Sequence, residues 1–241
     1  MTVSDAEKYQ SSQMNRGIAD AAESCTGGVK VLFLGNSITI HPVMPEIGWD
    51  HEWGMAADAA EHDYVHLVSR GIEQVTGRYA DVRIRNLASF ERGFRDYDFW
   101  ENQDLIGFQA EYLVVALREN VAALETAEER LEFRNAFRKL LECFASGKRK
   151  PHTVIRGVFW PNKWKDEILS AVAAELDLTF VKADIAGDKD MLALGKFDHE
   201  GIQKHPGNWG KAEIAHRILS GFFPGERLSG ILPDTGKVFL Q

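Results

Sequence analysis

Apolar positions follow two rhythms along this chain. Short, nearly continuous apolar runs recur at Val29–Leu34, Val82–Leu87, Tyr112–Leu117, Thr153–Phe159 and Leu178–Val181. Runs of this length, rich in β-branched residues and bounded by Gly, Asn or Pro, predict strands. Tyr112–Leu117 carries no polar residue and reads as a central parallel strand, whereas Val82–Leu87 alternates and suits an edge. Between the runs, apolar residues return every three or four positions. Thr126 with Glu129 forms a capping box, and Phe133, Phe137, Leu140, Leu141 and Phe144 then keep helical spacing up to a stop at Gly147. Helices are likewise predicted over Trp53–Ile72, Trp164–Leu176 and Gly210–Phe222, with a further one around Ser4–Ala22.

Strands that alternate with helices imply a parallel sheet with right-handed crossovers, covered on both faces. The expected fold is a three-layer α/β/α, flavodoxin-like domain with a mostly parallel five-stranded sheet. Residues 1–28 read as a polar lead-in, 29–223 as the domain and 224–241 as a Pro/Gly-rich tail. A length of 241 residues suits one such domain with a substantial core.

Charge narrows the function classes. The net charge is −8, and Lys148-Arg149-Lys150 is the only short basic run, read as a solvated helix end. Nucleic acid is therefore not expected as a partner. Cys25 and Cys143 lie far apart and form no disulfide framework or metal spacing. His199-Glu200 followed by His205 lacks the His-Glu-x-x-His spacing, and His62 with His66 has no third ligand in view, so no metal and no cofactor are expected. No run reaches membrane-spanning length. Met1 to Gln13 is polar and lacks the apolar core of a secretory signal, so the expected location is the cytoplasm.

The chemistry concentrates in three segments. Gly35-Asn36-Ser37-Ile38-Thr39 directly follows the first run, Arg118-Glu119-Asn120 follows the third, and His199–Gly207 precedes the last helix. Open α/β sheets bind ligands at the carboxyl edge, where all three can meet. They supply a hydroxyl, an amide donor and an imidazole, the inventory for acyl transfer. Gly-x-Ser-x-Gly is absent because Thr39 stands at the second glycine position, which argues against an α/β-hydrolase elbow. No phosphate loop follows the first strand. Trp49 and Trp160 lie in loops that can wall an acyl pocket or stack on a sugar.

In order and context these segments resemble the SGNH (GDSL-type) hydrolase family over residues 29–222. Block one matches as Gly35-Asn36-Ser37, with Asn36 where an Asp is usual. Block three matches through Asn120, although the usual Gly-x-Asn-Asp reads Arg118-Glu119-Asn120-Val121. Block five matches through His205-Pro206, with Gly210 and its helix behind. The resemblance implies Ser37 as nucleophile and His205 as base, with oxyanion donors from the Ser37 N–H, the Asn120 amide and a block-two glycine. Gly93 is the nearest glycine there, while strict spacing from Asn86 points to Glu91. The family often has Asp three residues before the His, where Ile202 stands here. Asp198 and Glu200 are the nearest acids; Glu200 is preferred, and a backbone carbonyl serving a Ser–His dyad is the alternative.

The implied activity is hydrolysis of a small ester, with O-acetyl groups on carbohydrates as the expected substrate, and Asn36, Trp49 and Trp160 at the substrate pocket. A non-catalytic binding module on the same scaffold and an acyltransferase using the same serine are the rival readings. The oligomeric state is left open by the sequence.

Overall fold

The computed structural model describes residues 27–226 except 148. The helix expected around residues 4–22, Lys148 of the basic run and most of the tail lie outside the described residues. Five strands run parallel in the order β2-β1-β3-β4-β5: β1 Val29–Gly35, β2 Ala80–Asn86, β3 Tyr112–Val115, β4 His152–Arg156 and β5 Thr179–Val181. The central position of β3 and the edge position of β2 agree with their hydrophobic patterns.

Side chains alternate along β1 and so feed two cores. Val29, Val31 and Phe33 join Tyr64, Val68, Ile218 and Phe222, which come from helices α1 (Tyr64–Thr76) and α7 (Asn208–Phe222). Leu32 and Leu34 point the other way, toward Phe90, Leu105, Phe133, Phe137 and Leu169. These come from helices α2 (Ala88–Gly93), α3 (Gln103–Phe108), α4 (Ala127–Ala145) and α5 (Lys163–Glu175). The result is a three-layer α/β/α fold. Among the described residues, no helix is long and apolar enough to cross a membrane.

The predicted helix over Trp53–Ile72 is half right. Helix α1 begins only at Tyr64, where Asp63 caps it by accepting from the His66 N–H. Residues 53–59 form turns instead, and Ala56 has a φ of 73°, which no α-helix holds. Helices α2 and α3 have no counterpart in the sequence prediction. Each spans six residues, too short to show a periodic face.

The capping box at α4 forms as expected. The Thr126 hydroxyl accepts from the Glu129 N–H at 3.1 Å, and the Glu129 carboxylate accepts from the Thr126 N–H at 3.0 Å. Replacing Thr126 with Ala should lower stability by about 1 kcal/mol, read as a lower urea midpoint at unchanged m-value.

Candidate functional site

Strand register brings the chemistry together. Gly35 pairs with Asn86, Leu34 with Val115, and Val115 with Ile155. The segments after β1, β2, β3 and β4 therefore leave the sheet at one level of its carboxyl edge.

The turn after β1 is tightly held. Thr39 and Ile40 N–H donate to Asn36 O at 2.8 and 3.0 Å, Met55 N–H to Ser37 O at 2.8 Å, and Lys211 Nζ to Ile38 O at 2.5 Å. Gly35 is required here, because a Cβ would lie 1.7 Å from Thr39 Oγ1. The Ser37 N–H makes no hydrogen bond among the described residues.

Ser37 Oγ lies 2.9 Å from His205 Nε2. His205 sits between the short helix α6 (Glu200–Gln203) and α7. Its Nδ1 lies 2.8 Å from Gly201 O. A carbonyl only accepts, so Nδ1 carries the hydrogen and Nε2 presents its lone pair to the serine. Burial pushes the His205 pKa down to about 4, with the positive charges of Lys211 and His41 acting in the same direction. The Gly201 hydrogen bond and the Glu119 charge oppose that shift without cancelling it. The imidazole is therefore neutral at ordinary pH. Trp160 meets it edge-on at 5.5 Å between ring centroids.

Neither expected acid reaches this histidine. Glu200 pairs with Lys204 at 2.6 Å on an exposed helix face, and Asp198 is exposed. The backbone carbonyl takes the place they were assigned.

Asn36 is not a pocket residue. It is fully buried, and its Nδ2 donates to Glu91 Oε1 at 2.9 Å and to Glu119 Oε2 at 2.7 Å. Glu119 Oε1 accepts from Arg156 Nη2 at 2.7 Å and from the Phe159 N–H at 3.2 Å. Glu91 also accepts from the Arg118 N–H and from Asn120 Nδ2. Burial, then the Glu119 charge, pushes the Glu91 carboxyl up. Burial acts on Glu119 too, but Arg156 and Arg118 outweigh it and hold that group down.

Gly93 does not supply a free amide. It lies in the last turn of α2, where its N–H is used within the helix. Glu91, to which the spacing from Asn86 points, turns its carboxylate inward onto Asn36, the Arg118 N–H and Asn120. Asn120 spends one amide hydrogen on Glu91 and retains a second. Trp49 is fully buried against His51, Trp53 and Phe197, so it is core rather than pocket wall. Trp160 alone of the three expected pocket residues stands beside the Ser37–His205 pair.

Arg118 stands where the resemblance has glycine, and its backbone keeps the glycine conformation with a φ of 111°. For a side-chain-bearing residue that costs about 1–3 kcal/mol. Its buried guanidinium compensates by donating to Leu117 O at 2.7 Å and Lys165 O at 2.9 Å. A further residue missed at sequence level is Lys211, fully buried in α7. Its signal was available: Lys211 falls on the same helical stripe as Ala215, Ile218 and Phe222.

The sequence matches no family model and no curated protein. Solved structures match its fold. A mutant of Axe2, an acetyl-xylooligosaccharide esterase from Geobacillus stearothermophilus, aligns at a TM-score of 0.52 and 16% identity, over 85% of this chain and 97% of its own. A family two carbohydrate esterase from Clostridium thermocellum, in complex with cellohexaose, aligns at 0.54 and 13%, over 82% and 65%. A putative GDSL-like lipase from Parabacteroides merdae aligns at 0.50 and 14%, over 82% and 98%. The chain therefore has the fold of the SGNH (GDSL-type) hydrolases.

The buried pair at this edge is open to test. Glu119→Gln leaves the Arg156 charge without its ionic partner and should cost about 3 kcal/mol or more of unfolding free energy. Glu142→Gln, which breaks an exposed pair with Arg138, should cost under about 0.5 kcal/mol in the same denaturation series.

Proposed function

We propose that this protein is a serine esterase that hydrolyses small esters, with O-acetyl groups on carbohydrates as its substrate class. The observation that carries the reading is the 2.9 Å approach of Ser37 Oγ to His205 Nε2, with Nδ1 anchored on Gly201 O. A hydroxyl in that position has a neutral base ready to take its proton. The carbohydrate part is supported by Trp160 beside the base and by the likeness of fold to esterases that act on sugars.

Ser37 attacks the ester carbonyl while His205 Nε2 accepts its proton. The developing oxyanion is bound by the Ser37 N–H and the second amide hydrogen of Asn120. Loss of one such donor costs about 3 kcal/mol, or roughly a hundredfold in rate. His205 returns the proton to the leaving alkoxide, and water activated by the same imidazole releases the acid. The Gly201 carbonyl holds the tautomer but adds no full negative charge behind the imidazolium.

One observation favours a second reading, a ligand-binding module without turnover: the Glu91 carboxyl already occupies one amide hydrogen of Asn120, the residue assigned to the oxyanion. A fluorophosphonate probe separates the two. Stoichiometric labelling of Ser37 supports the esterase, and an unlabelled, folded protein supports the module.

Two outcomes are expected from kinetics on a short-chain aryl ester. Ser37→Ala should remove hydrolysis while the circular dichroism spectrum is unchanged; turnover at the wild-type level would refute the nucleophile assignment. Asp198→Asn and Glu200→Gln should each keep kcat/KM within about twofold, since neither carboxylate reaches the base, where a true acid partner would cost far more. Because the base must be neutral, the rate should fall as pH drops toward about 4.

A further inference from the structure

Lys211 is a buried charge that the hydrolytic scheme leaves unused. It lies in the first turn of α7, fully shielded from solvent. Its Nζ donates to Ile38 O at 2.5 Å and lies 5.9 Å from the centre of the Tyr64 ring. The backbone at Gly54 closes over this contact: a Cβ there would stand 2.4 Å from Ile38 O and 2.7 Å from Nζ. The Gly54 N–H in turn donates to Asp63 Oδ2 at 3.1 Å. Among the described residues, two hydrogen bonds join the turn at residues 35–40 to residues 205–222. One is Ser37 to His205, and the other is Lys211 to Ile38.

We propose that Lys211 is a positioning residue for the Ser37–His205 pair: its ammonium ties the Ile38 carbonyl to the element that follows the base, and so sets the gap between hydroxyl and imidazole. The proposal rests on the hydrolytic reading and deepens it. The Asn36 carbonyl is held by the Thr39 and Ile40 amides within the turn, and the Ser37 carbonyl by the Met55 amide, so neither ties the turn to the element that carries His205. The Ile38 carbonyl is held from α7, so it orders the turn relative to His205.

Charge supplies a second effect of the same residue. His205 faces Lys211 and His41, which disfavour its protonation, and Glu119, which favours it; Trp160 covers one edge. Lys211 faces Asp63, which favours its charged form, and Arg156, which opposes it. Burial brings Lys211 down to about 7, so it still carries its charge in the acid range where His205 titrates. Removing that charge raises the His205 pKa.

Lys211→Met tests the proposal, with Lys211→Gln as a variant that keeps a neutral donor. The probes are the rate of Ser37 labelling by a fluorophosphonate across pH and the NMR titration of the His205 ring. The Met variant is expected to label about a hundredfold more slowly at neutral pH, because loss of alignment of this kind has that cost. Both variants are expected to move the acid limb and the His205 titration to higher pH, and Gln recovers part of the rate. A role in folding alone would lower the unfolding midpoint and leave the limb in place. Wild-type labelling and an unmoved His205 titration in either folded variant overturn the proposal. A wild-type Ser37 that never reacts with the probe overturns the hydrolytic reading instead, while the ring titration still decides whether Lys211 acts on His205.

Discussion

The carboxyl edge of this sheet depends on a cluster of charged and amide side chains almost wholly withdrawn from solvent. Asn36 stands between Glu91 and Glu119, and its two amide hydrogens are divided between them. Two carboxylates that close, inside a protein, repel strongly unless each is met by donors. Arg156 meets one, while the Arg118 amide and Asn120 meet the other. The members come from four strand ends: Asn36 follows β1, Glu91 lies beyond β2, Arg118, Glu119 and Asn120 follow β3, and Arg156 closes β4. The cluster can form only if all four strands keep their register. In return it fixes the backbone on either side of Ser37.

This arrangement explains what could be read from the sequence and what could not. β1, β3 and β4 were legible because both faces are buried, so their apolar runs are unbroken. α4 was legible because its start is encoded locally, in Thr126 and Glu129. The six-residue helices α2 and α3 were not, since tertiary packing of Phe90, Leu105 and Phe108 decides them rather than any repeating face. Residues 53–59 misled for a related reason: their apolar side chains pack around Trp49 and the Ser37 turn, and helical spacing there is incidental.

At the site, Ser37 and His205 could be proposed because residue type and flanking elements single them out. The carbonyl that partners His205 could be held only as an alternative to Glu200 and Asp198, because a backbone carbonyl leaves no mark in a sequence. Glu200 and Asp198 were drawn in by nearness along the chain, but Glu200 pairs with Lys204 on the exposed face of α6 and Asp198, just before it, is exposed. The pairing of Glu91 with Asn120 and of Glu119 with Arg156 spans some 30 to 40 residues and follows only from register. Arg118 shows the same limit from another side. Its φ of 111° is a property of the turn, and the sequence displays only the side chain that tolerates it.

The Gly201 carbonyl has a consequence for how such a site drifts over generations. An aspartate behind a histidine is one codon away from loss, and its replacement leaves the imidazole free to adopt the wrong tautomer. A main-chain oxygen is present whatever amino acid occupies position 201. Orientation of this imidazole is therefore inherited with the path of the backbone, through α6 and the bond from His205 N–H to Ile202 O. Substitution of the exposed Asp198 or Glu200 leaves what keeps the ring in place untouched.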